Sequence, residues 1–207
     1  LKSVTDASGT RQFGYQYGQT TTEAYSAGMF AGITLQRGLD PLNRLQSLTV
    51  TNPAATLYQV GYGYDAASRL QTVTSGPDVA AYSYHPNADL VNTLVQTHSN
   101  QVRLTTTKLY DKLNRLQSIS SVPSADSPIS FAYQYNDANQ RARATLANGE
   151  YWTYGYDGLG QVTNGVKHFP NSAPIPGYSF GYQFDHIGNR GAATRDNRSD
   201  AYTNNVL

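Results

Sequence analysis

The side chains able to do chemistry are few in this 207-residue sequence: His85, His98, His168 and His186, the glutamates Glu23 and Glu150, and scattered aspartates. There is no cysteine, hence no disulfide, no thiol nucleophile and no thiolate metal ligand. Asp185 and His186 are adjacent and would suit acid–base work, but both fall in the turn of a repeated unit. No two histidines have the i, i+4 or short-loop spacing of a zinc site. Glycoside hydrolysis needs two carboxyls held about 5–10 Å apart in a cleft, and the sequence singles out no pair. No Gly-x-Ser-x-Gly elbow occurs, and Ser83 and Ser179 lie inside aromatic strand patterns. The aspartates come one per repeat, without the clustered acidic loop of a calcium site. The expectation is a chain without catalytic residues, metal or cofactor.

The aspartates belong to a repeat whose best copy is Tyr62-Gly63-Tyr64-Asp65-Ala66-Ala67-Ser68-Arg69-Leu70. Seven copies start at Leu39, Tyr64, Tyr84, Tyr110, Tyr135, Tyr156 and Phe184, in steps of 20 to 28 residues. A period of this size signals a repeat architecture. The second column reads Asp40, Asp65, His85, Asp111, Asn136, Asp157 and Asp185, dominated by residues that bond their own backbone two positions on and start a turn. Three positions further come Asn43, Ser68, Ala88, Asn114, Asn139, Gly160 and Gly188, mostly residues that accept positive φ cheaply. Upstream, aromatics alternate with small or polar residues: Tyr62 and Tyr64, Tyr82 and Tyr84, Tyr133 and Tyr135, Tyr154 and Tyr156, Tyr182 and Phe184, with Tyr110 opening the fourth copy. That alternation predicts half-buried strands, so each unit reads as a β-hairpin. About fourteen antiparallel strands follow from seven copies, and a sheet that long must curl.

These residues resemble the tyrosine–aspartate (YD) repeats of the Rhs family, with Tyr62 to Leu70, Tyr110-Asp111 to Leu116, Tyr154 to Gly160 and Tyr182 to Arg190 matching the pattern. The copy at Tyr84 departs most, with His85-Pro86 at the turn and Asp89 in place of Arg. The resemblance implies an all-β fold of antiparallel hairpin repeats, forming a curled, spiralling sheet that is an arc of a hollow shell. It implies a secreted or surface-exposed bacterial protein whose shell encloses a C-terminal toxin or effector, so that the partners are the rest of the same polypeptide and that effector. The family also carries an aspartyl self-cleavage centre opening with Asp-Pro. Asp40-Pro41 is the one Asp-Pro here, yet its neighbours follow the repeat rather than the cleavage pattern.

By this reading, residues 1–38 form an irregular lead-in of β structure, with one or two strands and a bend around Gly28 and Gly32. Residues 39–207 form seven repeats in one continuous domain, a fragment of a larger protein. The start at Leu1 instead of Met fits a fragment. Tyr202 to Leu207 reads as the start of another element, a phrase found late in the repeat array of the resembled family. Chain length permits a domain that buries roughly 70% of its unfolded surface. Only 14% of residues are charged and the net charge is +1, which argues against nucleic acid. No apolar run approaches the ~18 residues that span a bilayer. The Tyr-rich face leaves a second reading open: an extracellular adhesin or filament module binding glycan or neighbouring protein. Tyr151, Trp152, Tyr154 and Tyr156 are its candidate carbohydrate contacts. Open sheet edges predict self-association.

Overall fold

The computed structural model describes residues 2–6 and 9–202; Thr203 to Leu207, where a further element was expected to begin, lie outside the described residues. Eighteen strands and no helix occur among the described residues. Two compact units divide the chain, Leu1–Thr105 and Thr106–Leu207, so the division falls within a strand of the repeat array and not at its start.

In the first unit β1 (Ser3–Asp6), β2 (Gly9–Gln16), β3 (Gln19–Tyr25), β4 (Thr34–Leu39), β5 (Leu45–Thr51), β6 (Thr56–Tyr64), β7 (Leu70–Ser75), β8 (Asp78–Tyr84) and β9 (Val91–His98) each pair antiparallel with the next. Residues before the first repeat thus supply three full strands, and with them the strand count exceeds fourteen. The strand β10 (Gln101–Tyr110) crosses the division. The second unit continues with β11 (Leu116–Pro123), β12 (Ile129–Tyr135), β13 (Arg141–Leu146), β14 (Tyr151–Tyr156), β15 (Val162–His168), β16 (Pro174–Phe184), β17 (Arg190–Arg195) and β18 (Arg198–Ala201), again each antiparallel to its successor.

Six of the repeat hairpins share one defect. Leu39 pairs with Leu45, Tyr64 with Leu70, Tyr84 with Val91, Tyr135 with Arg141, Tyr156 with Val162 and Phe184 with Arg190, each after a one-residue slip. Such a bulge bends its strand and increases the local right-handed twist. In three of these hairpins the residue before the slip is glycine, and it leaves room on the other face: a Cβ on Gly38 would overlap Oγ of Ser47, one on Gly63 Oγ1 of Thr72 and one on Gly155 the side-chain amide of Asn164, the residues paired with them across the ladder.

The sheet carries little core. Val60, Ala144 and Tyr151 are the buried hydrophobic residues among those described, and Thr106 is the buried polar one. Among the described residues the strands of each unit touch their sequence neighbours, and most apolar side chains are half-exposed.

Candidate functional site

The repeated turn is a set of hydrogen bonds centred on one carboxylate. Asp40 Oδ1 accepts the backbone N–H groups of Leu42 and Arg44, both at 2.9 Å, and its Oδ2 accepts Arg44 Nε at 2.7 Å. Asp65 does the same for Ala67, Arg69 and Arg69 Nε, and Asp111 for Leu113, Arg115 and Arg115 Nε. The chain then turns through a left-handed residue: Asn43 at φ 60°, Ser68 at 65°, Asn114 at 61°, Asn139 at 61°, Gly160 at 83° and Gly188 at 88°. Hydrogen bonding from the backbone and side chain of Arg69 holds the Asp65 carboxyl below its ordinary value. At Asp40 and Asp111 desolvation pushes upward, but donors from Arg44 and Arg115 outweigh it and these carboxyls too are depressed. The carboxyl of Asp40, the Asp-Pro candidate, is thus engaged in the turn.

The arginine does not stop at its own turn. Arg44 Cζ lies 4.4 Å from the ring centroid of Tyr64 in the following repeat, and its Nη1 donates to Ser68 Oγ at 2.9 Å. Tyr64 returns the contact, donating its hydroxyl to the Leu45 carbonyl at 2.8 Å. Arg69 repeats this on Tyr84 at 4.4 Å, donating to the Ala88 carbonyl, while Tyr84 donates to Leu70. In the second unit Arg115 lies 4.5 Å from the Tyr135 ring and donates to Asn139 Oδ1, while Tyr135 donates to Leu116. Each Asp–Arg–Tyr set latches one hairpin to the next. Guanidinium geometry suits this, since one rigid fork reaches a carboxylate, an aromatic face and a neighbouring acceptor together. These arginines were absent from the residues expected to matter, although their fixed place four residues after Asp was a readable signal.

Further along the second unit the latch changes. Asn136 accepts from the Gln140 backbone and donates Nδ2 to Gln140 Oε1, a neutral version of the Asp–Arg pair. Tyr156 still donates to the Arg141 carbonyl at 2.8 Å. Asp157 caps its turn through Leu159 and Gln161, and Asp185 through Ile187 and Asn189. Phe184 has no hydroxyl to offer the preceding repeat, and there Gln161 Oε1 is buried without a hydrogen-bond partner.

At the third copy the sequence register needs correction. His85 N–H bonds to the Leu90 carbonyl, one residue later than in the other turns, and the left-handed residue is Asn87 at φ 59°, not Ala88. The extra residue behind Pro86 lengthens the turn and shifts the column.

The four aromatics nominated for sugar do not share a face. Tyr151 is 6% exposed, stacked at 4.8 Å on His168 with Arg143 Cζ 3.5 Å over its ring. Strand alternation puts Trp152, Tyr154 and Tyr156 on the other side, and Tyr156 is tied to Arg141. What does assemble is a cleft of ≈ 320 Å³ around Gly165, lined by Trp152, Tyr154, Val162, Phe180 and Tyr182. Trp152 packs near-parallel to Tyr154 at 6.4 Å and to Phe180 at 5.9 Å, and edge-on to Tyr178 at 6.1 Å. Of the remaining repeat tyrosines, Tyr62 pairs across the ladder with Val73, Tyr82 with Leu94, Tyr133 with Ala144 and Tyr182 with Ala193; Tyr110 ends β10. The histidines stand apart within each unit: His98 Nδ1 meets Asp78 at 2.8 Å in the first, and His168 meets Thr153 and Ser172 in the second.

Comparison with known proteins agrees with this geometry. The RHS Repeat family model matches residues 135–168, which include the turn at Asp157. No curated protein matches the chain. Among solved structures, it is similar to the crystal structure of TcdB2-TccC3-TEV, with 16% identity and a TM-score of 0.68 over 90% of this chain and 10% of that one. It is similar also to TcdB2-TccC3 without its hypervariable C-terminal region, with 16% identity and a TM-score of 0.69 at the same coverage. A third, TcdB2-TccC3-Cdc42, gives 12% identity and a TM-score of 0.54 over 95% of this chain and 12% of that one. Residues 135–168 match the RHS repeat, and the chain has the fold found in these structures. It spans about a tenth of their length.

Proposed function

We propose that this chain is a structural wall segment of a secreted bacterial Rhs-type shell that encloses a C-terminal toxin or effector, with no catalytic residue of its own. The observation that carries the reading is the Asp–Arg–Tyr latch, which staples successive hairpins of a single-layer sheet at Arg44, Arg69 and Arg115. A sheet with almost no core needs such nearest-neighbour terms, because in a repeat protein they supply the stability that a central core supplies elsewhere. A bulge at the same place in each hairpin favours regular curl. One similar structure is described as lacking a hypervariable C-terminal region, and a variable segment behind such repeats is what an enclosed cargo requires. Reading the coding DNA past Leu207 tests this. Further repeats, an Asp-Pro-containing closing segment and an unrelated tail support the shell; a stop codon or a wall anchor defeats it.

The cleft around Gly165 favours a second reading, an adhesin module that contacts glycan. Stacked Trp152 and Phe180 offer an apolar floor and Tyr154 and Tyr182 bring hydroxyls. A change in Trp152 emission on adding neutral oligosaccharides supports it, and unchanged emission at saturating sugar removes it.

A further inference from the structure

Aromatic rings and cations share one face of the sheet in the second unit. Tyr154 on β14 and Phe180 on β16 both pair with Gly165 on β15, so the cleft has a ring on each side of a buried glycine. Its walls are two strands apart, roughly 10 Å, and its ≈ 320 Å³ accept one leucine-sized side chain. Four cations lie on rings of the same face. Arg141 Cζ is 4.1 Å from the Tyr133 centroid, Arg190 Cζ 5.0 Å from that of Tyr182, Arg195 Cζ 5.6 Å from that of Phe180, and Lys167 Nζ 5.2 Å from that of Tyr178. Burial raises the pKa of the Tyr154 phenol and Arg141 opposes the rise, which puts that guanidinium beside the cleft wall. Carboxylates do not balance this charge. None lines the cleft. Glu150 is bound by Lys167 at 2.6 Å, Asp196 accepts the Ser179 N–H at 3.2 Å, and Asp200 lies opposite Ala193, one strand further out. Among the described residues neither Arg141 nor Arg195 has an ion pair; Arg195 gives its Nε–H to the Gly177 carbonyl at 3.2 Å.

We propose that this cleft docks an extended acidic peptide segment of a partner protein, with an apolar side chain over Gly165 and carboxylates on the flanking arginines. The claim is independent of the shell reading, and it competes with glycan for the same cleft. Charge complementarity selects the occupant. Rings alone would accept any apolar group, but Arg141 and Arg195 at the rim favour an anion and repel a cationic segment. Arginine suits the role, because a guanidinium lying on a ring still presents N–H groups in its own plane to a carboxylate. Spacing fits as well. In an extended peptide alternate side chains share a face and stand roughly 6.6 Å apart. Tyr182 lies two residues past Phe180 along β16, so a carboxylate two residues from the seated side chain falls level with Arg190 on the Tyr182 ring. Arg195 pairs with Phe180 across the ladder and stands level with the seated residue itself.

Trp152 is the sole tryptophan of the chain and lines the cleft, so its emission reports occupancy. The probe is a capped, tryptophan-free heptapeptide, Glu-Asp-Thr-Leu-Thr-Asp-Glu. Its controls replace the acids by their amides, the acids by lysine, or the central leucine by glycine. The acidic peptide should give a saturable change and bind at least about tenfold more tightly than the amide peptide. Raising salt from about 0.05 M to about 0.5 M should erode that margin. The lysine and glycine peptides should give no saturable change. Arg141→Gln/Arg195→Gln should bring the acidic peptide down to the affinity of the amide peptide, with far-UV circular dichroism and melting temperature equal to wild type. The peptide series on wild type stands without that variant. An acidic peptide that leaves Trp152 emission unchanged, equal affinity of acidic and amide peptides, or full affinity in the double variant overturns the proposal. So does a neutral oligosaccharide that binds more tightly than the acidic peptide, which would assign the cleft to glycan.

Discussion

The guanidinium of Arg69 lies 4.4 Å from the ring centroid of Tyr84, and the Tyr84 hydroxyl donates at 2.6 Å to the carbonyl of Leu70, the residue after that arginine. Two residues of neighbouring hairpins therefore hold one another by two different contacts. A double-mutant cycle of Arg69→Met and Tyr84→Leu, read by urea unfolding, should give a coupling of about 0.5–2 kcal/mol. Arg69→Lys should recover little of the loss, because an ammonium cannot reach the Asp65 carboxylate and the Ala88 carbonyl in the same geometry. Strictly additive single losses would mean that the latch is a coincidence of packing.

Acid should loosen the latches together. Asp40, Asp65 and Asp111 have folded-state pKa values below the ordinary carboxylate value. A depressed folded pKa means that the unfolded chain binds protons first as pH falls. The stabilisation is whole above the unfolded value of about 3.9 and is lost on passing down through the folded value. The melting temperature should be level between about pH 5 and 7 and drop below about pH 4. Replacing all three by Asn should lower the neutral-pH melting temperature and flatten the acid limb. Parallel acid limbs in the two proteins would place the sensitivity elsewhere, Glu23 and Glu150 being the other depressed carboxyls outside the repeat turns.

Much of this is legible in the sequence alone, for local reasons. An Asp that accepts backbone N–H groups two and four residues on, followed by Asn or Gly at positive φ, is a turn whose chemistry is complete within five residues. Aromatic alternation likewise marks a strand wherever it lies. What was not legible needs the ladder. That Arg44 covers Tyr64 depends on stagger between hairpins, which no within-turn pattern specifies. Tyr151 was grouped with Trp152 by adjacency in sequence, whereas the strand sends them to opposite faces and buries Tyr151 under Arg143 and His168. The column at Tyr84 slipped by one because Pro86 hides an added residue that is visible only in the His85–Leu90 closure. Residues 1–38 looked irregular because they lack the aspartate signal, though β1, β2 and β3 need none to pair.

Phe184 stands where other repeats have the tyrosine that bonds to the preceding hairpin, and the Val162 carbonyl is the acceptor equivalent to Leu45, Leu70, Leu116 and Arg141. Phe184→Tyr should therefore stabilise the second unit by about 0.5–1.5 kcal/mol, the usual net worth of one hydrogen bond. Tyr64→Phe should cost a similar amount in the first unit. Thermal unfolding of both variants checks the pair, and a Phe184→Tyr protein no more stable than wild type would show that the missing hydroxyl has been compensated.

Gly188 tests whether the turn column is a conformational requirement or only a preference for small residues. Its φ is +88°, and a Cβ there would sit 3.0 Å from Nε2 of Gln161 in the preceding repeat. A β-branched side chain meets both the left-handed penalty and that amide, so Gly188→Val should destabilise by roughly 1–3 kcal/mol. Asn fills the same column at positions 43, 114 and 139 with φ near 60°, so Gly188→Asn should lose much less. The Gln161 amide is the flexible end of a side chain and can swing aside, which leaves backbone strain as the part that separates the two variants. Chemical denaturation of Gly188→Val, Gly188→Asn and Gly188→Ala decides the matter: a ranking of Asn above Ala above Val marks conformation, whereas Ala above Asn would mark space.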